Sequence, residues 1–240
     1  MNIDKILKNL ILYNPVNKKI RLGHQADGGY VIIDGYEYDY FISGGVGENI
    51  TFEIDFIKKF PNIQGIIFDN TVDDALNLPK EIKLIKKNIG FDNTEITTNL
   101  SDYINGYHNI FIKMDIEGSE WKLLRSEFSK SLIKIKQIVF EAHHFFSVFS
   151  DIALESLEII NNTHYLVHVH QNNNGVPFQS DVGNIMHPSL LELTFIRKDC
   201  EINGLNVTDL PIKDIDFTNM PGKPEYDIMN SYPFNSKEIT

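Results

Sequence analysis

The feature that most constrains the fold of this chain is a regular alternation of short apolar segments with segments of helical periodicity. Seven segments have the length and apolar character of strands that are buried on both faces. They are residues 38–43, 64–68, 82–85, 109–114, 135–140, 165–169 and 191–196. Helical periodicity is found between them at residues 50–60, 117–128 and 152–160. This alternation predicts an α/β fold with a mostly parallel sheet and right-handed crossover connections.

The length of the chain suits one domain of this class. The sequence has 240 residues, and no repeat or linker divides it, so we expect a single domain spanning residues 1–240. Apolar residues at helical spacing predict an amphipathic helix at residues 2–13, which Pro15 must end. Several prolines after Leu210 predict that residues 210–240 pack on the domain as extended chain.

The charge balance excludes some classes of partner. The chain has 22 Lys and Arg against 33 Asp and Glu, a net charge of −11, which repels phosphate backbones and anionic lipid. We therefore expect neither a nucleic-acid nor a membrane partner, and no apolar run approaches the ~18 residues of a membrane span. The N-terminal residues also lack the apolar region of a signal peptide. The single cysteine, Cys200, cannot form an internal disulfide, which favours a cytoplasmic location. The oligomeric state stays open, with a homodimer as one option.

A glycine-rich turn follows the first predicted strand. Ser43, Gly44, Gly45 and Gly47 come directly before a helical segment. Glycines let the backbone approach a ligand closely, and the helix that follows presents free N–H groups, so we expect a nucleotide-type cofactor here. Glu48 would repel a pyrophosphate, but it suits an adenosyl cofactor that carries an amino group.

An acidic residue ends the second predicted strand. Asp69, followed by Asn70, stands about 20 residues after the glycine turn, where ribose hydroxyls are bound in such folds. The turn and the acid together fit a dinucleotide or S-adenosylmethionine. Ile50 stands where the third glycine of a dinucleotide fingerprint belongs, so an NAD-dependent oxidoreductase is the weaker alternative.

Polar side chains also stand at three further strand ends. They are Asp115, then Glu141 with His143, then His168 with His170. Each residue alone is more readily explained as a structural group, but three consecutive strand ends favour a ligand site.

Three other acids near these strand ends have their own explanations. Glu117 and Glu120 also fit the positive end of a helix dipole, an interpretation that best suits Glu120. Glu192 lies within an otherwise apolar strand and needs a partner or a ligand.

These residues resemble the FkbM-type S-adenosylmethionine-dependent methyltransferases. The resemblance spans roughly residues 21–228 and rests on residues 21–23, 27–30, 44–47, 69, 114–121, 141–143, 168–173 and 191–195. It implies a class I methyltransferase Rossmann-like fold: a seven-stranded, mostly parallel sheet in the order 3-2-1-4-5-7-6, with helices on both faces. It further implies that Gly45 and Gly47 approach the methionine end of the cofactor and that Asp69 holds the ribose. Adenine contacts would come from the loop that contains Asp92.

The resemblance also suggests a reaction. Many FkbM-like enzymes act on sugars, so O-methylation of a sugar or glycan hydroxyl is the leading hypothesis. An alcohol acceptor must lose a proton to a base or through a metal, and Asp115, Glu141, His143 and His170 are the candidate catalytic residues. Sugar methyltransferases of the TylF type resemble this chain at Asp115 and use a divalent ion. Asp115, Glu141 and His143 are therefore candidate ligands for Mg²⁺ or Mn²⁺.

Two alternatives remain beside sugar O-methylation. One is N- or O-methylation of another small metabolite or of a protein. The other is a catalytically dead methyltransferase fold that serves as a binding module. Asp69, Asp115, Glu117 and Glu141 together argue against the dead fold, because such a protein has no chemical reason to carry them.

Overall fold

The computed structural model describes residues 3–72, 77–144, 150–176, 178–179 and 186–225. The helices are α1 (Ile3–Lys8), α2 (Thr51–Lys59), α3 (Glu120–Arg125) and α4 (Ser150–Asn161), with a 3₁₀ helix at Glu127–Lys134. Strands β1 to β8 are Tyr13–Pro15, Lys19–Gly23, Gly29–Ile33, Tyr40–Gly44, Gly65–Phe68, Ile82–Ile85, Asn88–Ile89 and Thr97–Thr98. Strands β9 to β15 are Ile110–Met114, Ile135–Ala142, His164–Gln171, Phe178–Gln179, Met186–His187, Leu191–Arg197 and Ile202–Leu205.

The central sheet has seven strands in the order β6-β5-β4-β9-β10-β14-β11. Strand β14 runs antiparallel to both of its neighbours, and the other pairs are parallel. Numbered along the chain, these strands have the order 3-2-1-4-5-7-6, so the predicted fold class is confirmed. Each of the seven predicted strands is present, with ends within two residues of the prediction.

Each face of the sheet is covered by a separate hydrophobic core. Successive residues of a strand point to opposite faces, so Phe41 and Phe111 lie on one face and Ile42 on the other. On the first face, Phe56 of α2 packs against Phe41 and Phe111, with ring centroids 4.3 and 4.5 Å apart. On the second face, α1, α3 and α4 contribute to the core, and Trp121 is fully buried there. Helices therefore cover both faces, as predicted.

An antiparallel hairpin of β2 and β3 lies over the first face beside α2, an element that the sequence did not predict. Polar side chains of the sheet bind its backbone: Ile33 N–H donates to Gln137 Oε1 (3.3 Å), and Thr194 Oγ donates to the Val31 carbonyl (2.6 Å). These contacts fix the hairpin across β10 and β14, with its turn near the carboxyl end of β9.

Two predicted helices differ from those observed. The helix at 2–13 was wrong in extent: α1 ends at Lys8, and residue 2 lies outside the described residues. The chain becomes extended because β1 pairs with β15, and Asn206 N–H donates to the Leu12 carbonyl. The helix at 117–128 is shortened at both ends, since Gly118 is left-handed (φ +93°) and Ser126 is extended.

The C-terminal segment, residues 210–225, lies against the ends of β11 and β14. Asp216 Oδ1 is 2.9 Å from His168 Nε2, and Asn219 Nδ2 donates to Glu192 Oε1 (2.6 Å). The rest of the tail predicted at 210–240, residues 226–240, lies outside the described residues. Within the described parts of the chain, none of the helices has the length and apolar composition required to cross a bilayer.

Candidate active site

A cavity of about 520 Å³ opens at the carboxyl ends of β4, β5 and β9. This volume lies in the usual range for small-molecule sites. The cavity is lined by Gly45, Val46, Gly47, Phe68, Asp69, Thr71, Asn88, Ile89, Asp115, Ile116, Glu117 and Ser119. Open α/β sheets place ligands at this edge, so the cavity is the candidate cofactor site.

The glycine turn passes very close to the end of β9. Gly45 has a left-handed φ of +66°, and a Cβ added there would lie 1.7 Å from the Asp115 carbonyl oxygen. Only glycine fits this position. Lys113, which is 4% exposed on β9, donates from Nζ to the Gly45 carbonyl (2.8 Å). The buried Lys113 side chain therefore stabilises the glycine turn through this hydrogen bond.

Asp69 binds the same turn from the other side. Its Oδ2 accepts from the N–H groups of Val46 and Gly47, both at 3.1 Å. Its Oδ1 accepts from Thr71 N–H (2.7 Å) and Thr71 Oγ (2.6 Å). Burial works to raise the pKa of Asp69, but these hydrogen bonds outweigh it and lower the pKa below its usual value. Asp69 thus fixes the cavity wall as an ionised side chain, and its predicted contact with a ribose stays a prediction.

The other predicted cofactor residues are placed in different surroundings. Gly45, Gly47 and Asp69 line the cavity, whereas Ser43, Gly44, Glu48, Asn70 and Asp92 are not among the lining residues. Ser43 instead donates to the fully buried Glu53 of α2 (2.6 Å). Glu48, Asn70 and Asp92 are exposed. Asn88 and Ile89, just before the loop predicted to contact adenine, are the lining residues from that part of the chain.

A cluster of acids surrounds His143 at the end of the cavity that Asp115 and Glu117 line. His143 Nε2 is 3.3 Å from Glu117 Oε2, 3.8 Å from Asp115 Oδ1 and 3.9 Å from Glu141 Oε1. Its Nδ1 is 3.2 Å from Oε1 of the buried Glu120. The structure therefore brings Asp115, Glu141 and His143 together, as the strand ends predicted.

Two groups of this cluster have raised pKa values. Burial raises the pKa of Glu141, and the charge of Asp115 adds to this effect. Burial works to lower the pKa of His143, but the hydrogen bond and charge of Glu120 outweigh it, so the pKa of His143 is raised as well. Both shifts favour the protonated form of the group, and Glu141 Oε1 accepts a hydrogen bond from Asn172 Nδ2 (3.0 Å).

His170 is paired with a different acid. It is 3% exposed, and its Nδ1 lies 3.1 Å from Glu192 Oε2. The register places Glu141, Glu192 and His170 side by side on three adjacent strands. Glu192 thus has the partners that its apolar strand required, namely His170 and Asn219.

The group that suits a metal differs from the predicted one. Among the described residues, Asp115, Glu117 and His143 offer ligand atoms that all lie within 4.8 Å of one another. Glu117 takes the place predicted for Glu141, because its left-handed φ of +54° turns its carboxylate toward His143. Because Glu120 contacts Nδ1 of His143, Nε2 of His143 faces the carboxylates of Asp115 and Glu117. This orientation is typical of metal-binding histidines.

The chain is similar to known proteins both in sequence and in structure. Residues 63–167 match the model of the Methyltransferase FkbM domain. The predicted resemblance is thereby confirmed, and the match includes Asp69, Asp115, Glu117, Glu141 and His143. The curated protein sequences contain no match to this chain.

Solved structures that resemble the chain are methyltransferases and related proteins at low identity. Fibrillarin in its Nop5p complex has a TM-score of 0.43 and 9% identity, covering 69% of this chain and 76% of that chain. The fibrillarin pre-rRNA processing protein of Methanococcus jannaschii has a TM-score of 0.41 and 12% identity, covering 67% and 66%. Precorrin-6y C5,15-methyltransferase of Geobacter metallireducens GS-15 has a TM-score of 0.37 and 12% identity, covering 79% and 83%.

The roles of three residues of the site, Tyr30, Glu120 and Asn172, were missed from sequence. Glu120 does stand in the first turn of α3, but its side chain is buried against His143 rather than facing solvent at the helix end. Tyr30 and Asn172 contact Asp115 and Glu141. Both residues belong to segments on which the resemblance to the FkbM family rests, 27–30 and 168–173. Their place in these segments was the signal in the sequence that could have indicated a role in the site.

Proposed function

We propose that this protein is an S-adenosylmethionine-dependent methyltransferase that methylates a hydroxyl of a sugar or glycan. One observation carries the proposal: the cavity beside the glycine turn is lined by Asp115 and Glu117, which belong to the cluster around His143. A cofactor held by Gly45, Gly47 and Asp69 would have its reactive end near these acids. The FkbM domain match supports methyl transfer, and the polar cluster suits a hydroxyl acceptor.

The residues of the cluster would divide the chemistry between them. When bound, S-adenosylmethionine supplies a methyl group whose bond to sulfur breaks as the bond to the acceptor oxygen forms, leaving S-adenosylhomocysteine. The hydroxyl proton must pass to a base. Asp115 lines the cavity and Glu141 and His143 do not, and the raised pKa values of those two groups favour their protonated forms, so Asp115 is the proposed base. The imidazolium of His143 would balance the negative charge of Asp115 and Glu117.

A transfer assay tests the proposal. Isotope-labelled S-adenosylmethionine is offered with panels of mono- and oligosaccharides, amines and peptides. We expect the label on a sugar hydroxyl, and we expect Asp115→Asn to reduce kcat by about 10²- to 10⁴-fold, the usual contribution of a general base. Asp102→Asn, which changes an exposed acid, is the matched control. Label on amines or peptides alone would contradict the sugar acceptor, and cofactor binding without any transfer would favour the binding module.

As an alternative to proton transfer to Asp115, we propose that Asp115, Glu117 and a neutral His143 hold a divalent cation such as Mg²⁺ or Mn²⁺. Carboxylate oxygens and an imidazole nitrogen suit these ions, and the orientation of His143 by Glu120 supports the fit. Such an ion would act as a Lewis acid that makes a nearby hydroxyl more acidic.

The metal proposal predicts a pH dependence. His143 must release its Nε2 proton to bind an ion, so Mn²⁺ affinity should increase as the pH rises from 7 toward 9. Calorimetric titration of Mn²⁺ measures it, with Glu117→Gln expected to weaken binding and the exposed Glu95→Gln as control. Absence of Mn²⁺ binding over this pH range would contradict the proposal.

Charge and cysteine content support two further proposals, one on the acceptor and one on the compartment. We propose a small-molecule or carbohydrate acceptor rather than a nucleic acid or a membrane surface, because the net charge is −11. We propose that the protein acts in the reducing cytoplasm, because it has a single cysteine.

A further inference from the structure

Tyr30 is a buried tyrosine of the hairpin that reaches the candidate active site. It is 1% exposed. Its ring packs edge-on against Phe52, with centroids 5.7 Å apart, and Lys113 Nζ lies 5.3 Å from its centroid. These contacts hold the ring from two sides, so its hydroxyl has a fixed position.

The hydroxyl of Tyr30 binds the proposed base. Tyr30 Oη donates to Asp115 Oδ2 (2.9 Å), while the other oxygen, Oδ1, lies 3.8 Å from His143 Nε2. The carboxylate is thus held between the hairpin and the turn after β10. The Asp115 side chain is 27% exposed and lines the cavity.

Tyr30 is the donor of this bond. A carboxylate oxygen can only accept a hydrogen bond, and Tyr30 Oη lies 2.9 Å from Asp115 Oδ2, so the phenol hydroxyl donates to Asp115.

The hairpin is braced just before Tyr30. The Arg21 guanidinium donates to the carbonyls of His24 (2.9 Å) and Ala26 (2.8 Å), which closes the turn. Gly29 passes so near to the His24 carbonyl that an added Cβ would lie 2.0 Å from it. Together with the anchors at Val31 and Ile33, this bracing leaves Tyr30 little freedom to move relative to the sheet.

We propose that Tyr30 is a positioning residue: its hydroxyl holds the Asp115 carboxylate in the orientation in which Asp115 takes the acceptor proton. The proposal rests on the proposed function for the reaction itself, whereas the Tyr30–Asp115 contact can be tested without it.

A double-mutant cycle tests the contact by urea unfolding. The variants are Tyr30→Phe, Asp115→Ala and both together. Tyr30→Phe keeps the ring and its packing and removes the hydroxyl alone. We expect the effects on the unfolding equilibrium constant to be non-additive by about fivefold or more. Additive effects would overturn the proposal, whatever the protein catalyses.

Kinetics test the positioning role. We expect Tyr30→Phe to lower kcat by about 10- to 100-fold, as for a misplaced catalytic group, with KM for S-adenosylmethionine and Kd for S-adenosylhomocysteine unchanged. Tyr38→Phe is the matched control, since it removes the hydroxyl of a partly buried tyrosine that packs against the same core and is bonded to Gln137 (3.4 Å). A Tyr30→Phe variant with wild-type kcat, or one that loses cofactor affinity equally, would overturn the proposal. Wild-type protein without transfer activity would contradict the proposed function, and the unfolding cycle would still decide the contact.

Discussion

Among the single residues of the site, Lys113 is a buried lysine that binds the glycine turn. Lys113→Met keeps most of the side-chain length but leaves the Gly45 carbonyl without its 2.8 Å donor. We expect the turn to loosen and the affinity for S-adenosylhomocysteine to fall by about tenfold, the effect of losing one hydrogen bond from a charged group. The free energy of unfolding should change little, because a buried charge is removed as well.

Calorimetric titration measures this change. Lys58→Met is the control, because the side chain of Lys58 is 71% exposed. Unchanged affinity in Lys113→Met would mean that the turn does not depend on Lys113.

Some residues of the site could be predicted from sequence because topology alone brings them together. Asp115 directly follows β9, while Glu141 is near the end of β10 and His143 directly follows it, and adjacent parallel strands end at one edge. Glu117 and Tyr30 depend on other causes. Glu117 reaches His143 through a left-handed turn, and Tyr30 reaches Asp115 through the docking of a hairpin. Both are tertiary effects that no spacing in the sequence expresses.

At the scale of elements, the start of β11 contains a buried histidine that makes stability depend on pH. His164 is 1% exposed, with Nε2 2.9 Å from the Ile135 carbonyl at the start of β10 and Nδ1 2.8 Å from Thr163 Oγ. Burial lowers the pKa of His164 from 6.5 to about 4. The unfolded state therefore binds more protons between these values, and stability is lost as the pH falls from 6.5 toward 4.

The full difference between the pKa of His164 in the unfolded state and in the folded state corresponds to about 3 kcal/mol of unfolding free energy. Urea unfolding between pH 4.5 and 7 measures it, and we expect His164→Gln to lose much of the dependence. The exposed His108→Gln should keep the wild-type dependence. An unaltered dependence in His164→Gln would contradict this account.

The sheet strands could be predicted from sequence, and the hairpin could not. Strands buried on both faces are apolar runs, which is why all seven predicted strands of the sheet were found near their expected ends. Strands β2 and β3 lie on one face of the sheet, and their backbone bonds to Gln137 and Thr194 depend on the folded sheet. Similarly, α1 ends early because β15, nearly 190 residues later, pairs with the chain that follows it.

At the scale of the whole molecule, the C-terminal segment is tied to the sheet by a buried pair. The side chains of Asp216 and His168 are 0% and 1% exposed, and Asp216 Oδ2 also accepts from Ile212 N–H (2.6 Å). We expect Asp216→Ala to lower the free energy of unfolding by about 3 kcal/mol, because it removes a buried carboxylate that bonds both the His168 imidazole and the Ile212 N–H.

Urea denaturation measures the loss. Lys213→Ala, at an exposed position of the same segment, should change stability by less than about 0.5 kcal/mol. Equal effects of the two substitutions would show that the segment contributes little through Asp216.

At this scale, the resemblance predicted the strand order of the sheet, but it did not predict how the hairpin and residues 210–225 pack on the sheet. The order 3-2-1-4-5-7-6 was confirmed, whereas the packing of the hairpin on the sheet was not anticipated. Residues 210–240 were expected to pack on the domain, but the contacts of residues 210–225 with β11 and β14 could not be specified from sequence. His168 and His170 stood out in the sequence as ligand candidates. The structure gives them buried acids, Asp216 and Glu192, as partners, and both pairs became visible only once the segments were brought together.

The cavity at the glycine turn is the proposed binding site of an adenosyl cofactor. Calorimetric titration with S-adenosylhomocysteine tests it on wild-type protein, on Asp69→Asn and on Asp102→Asn as the exposed control. We predict micromolar affinity for wild type and control, about −8 kcal/mol. We predict at least about tenfold weaker binding for Asp69→Asn, because the Val46 and Gly47 N–H groups lose an ionised acceptor. Wild-type protein that binds no S-adenosylhomocysteine would contradict the account.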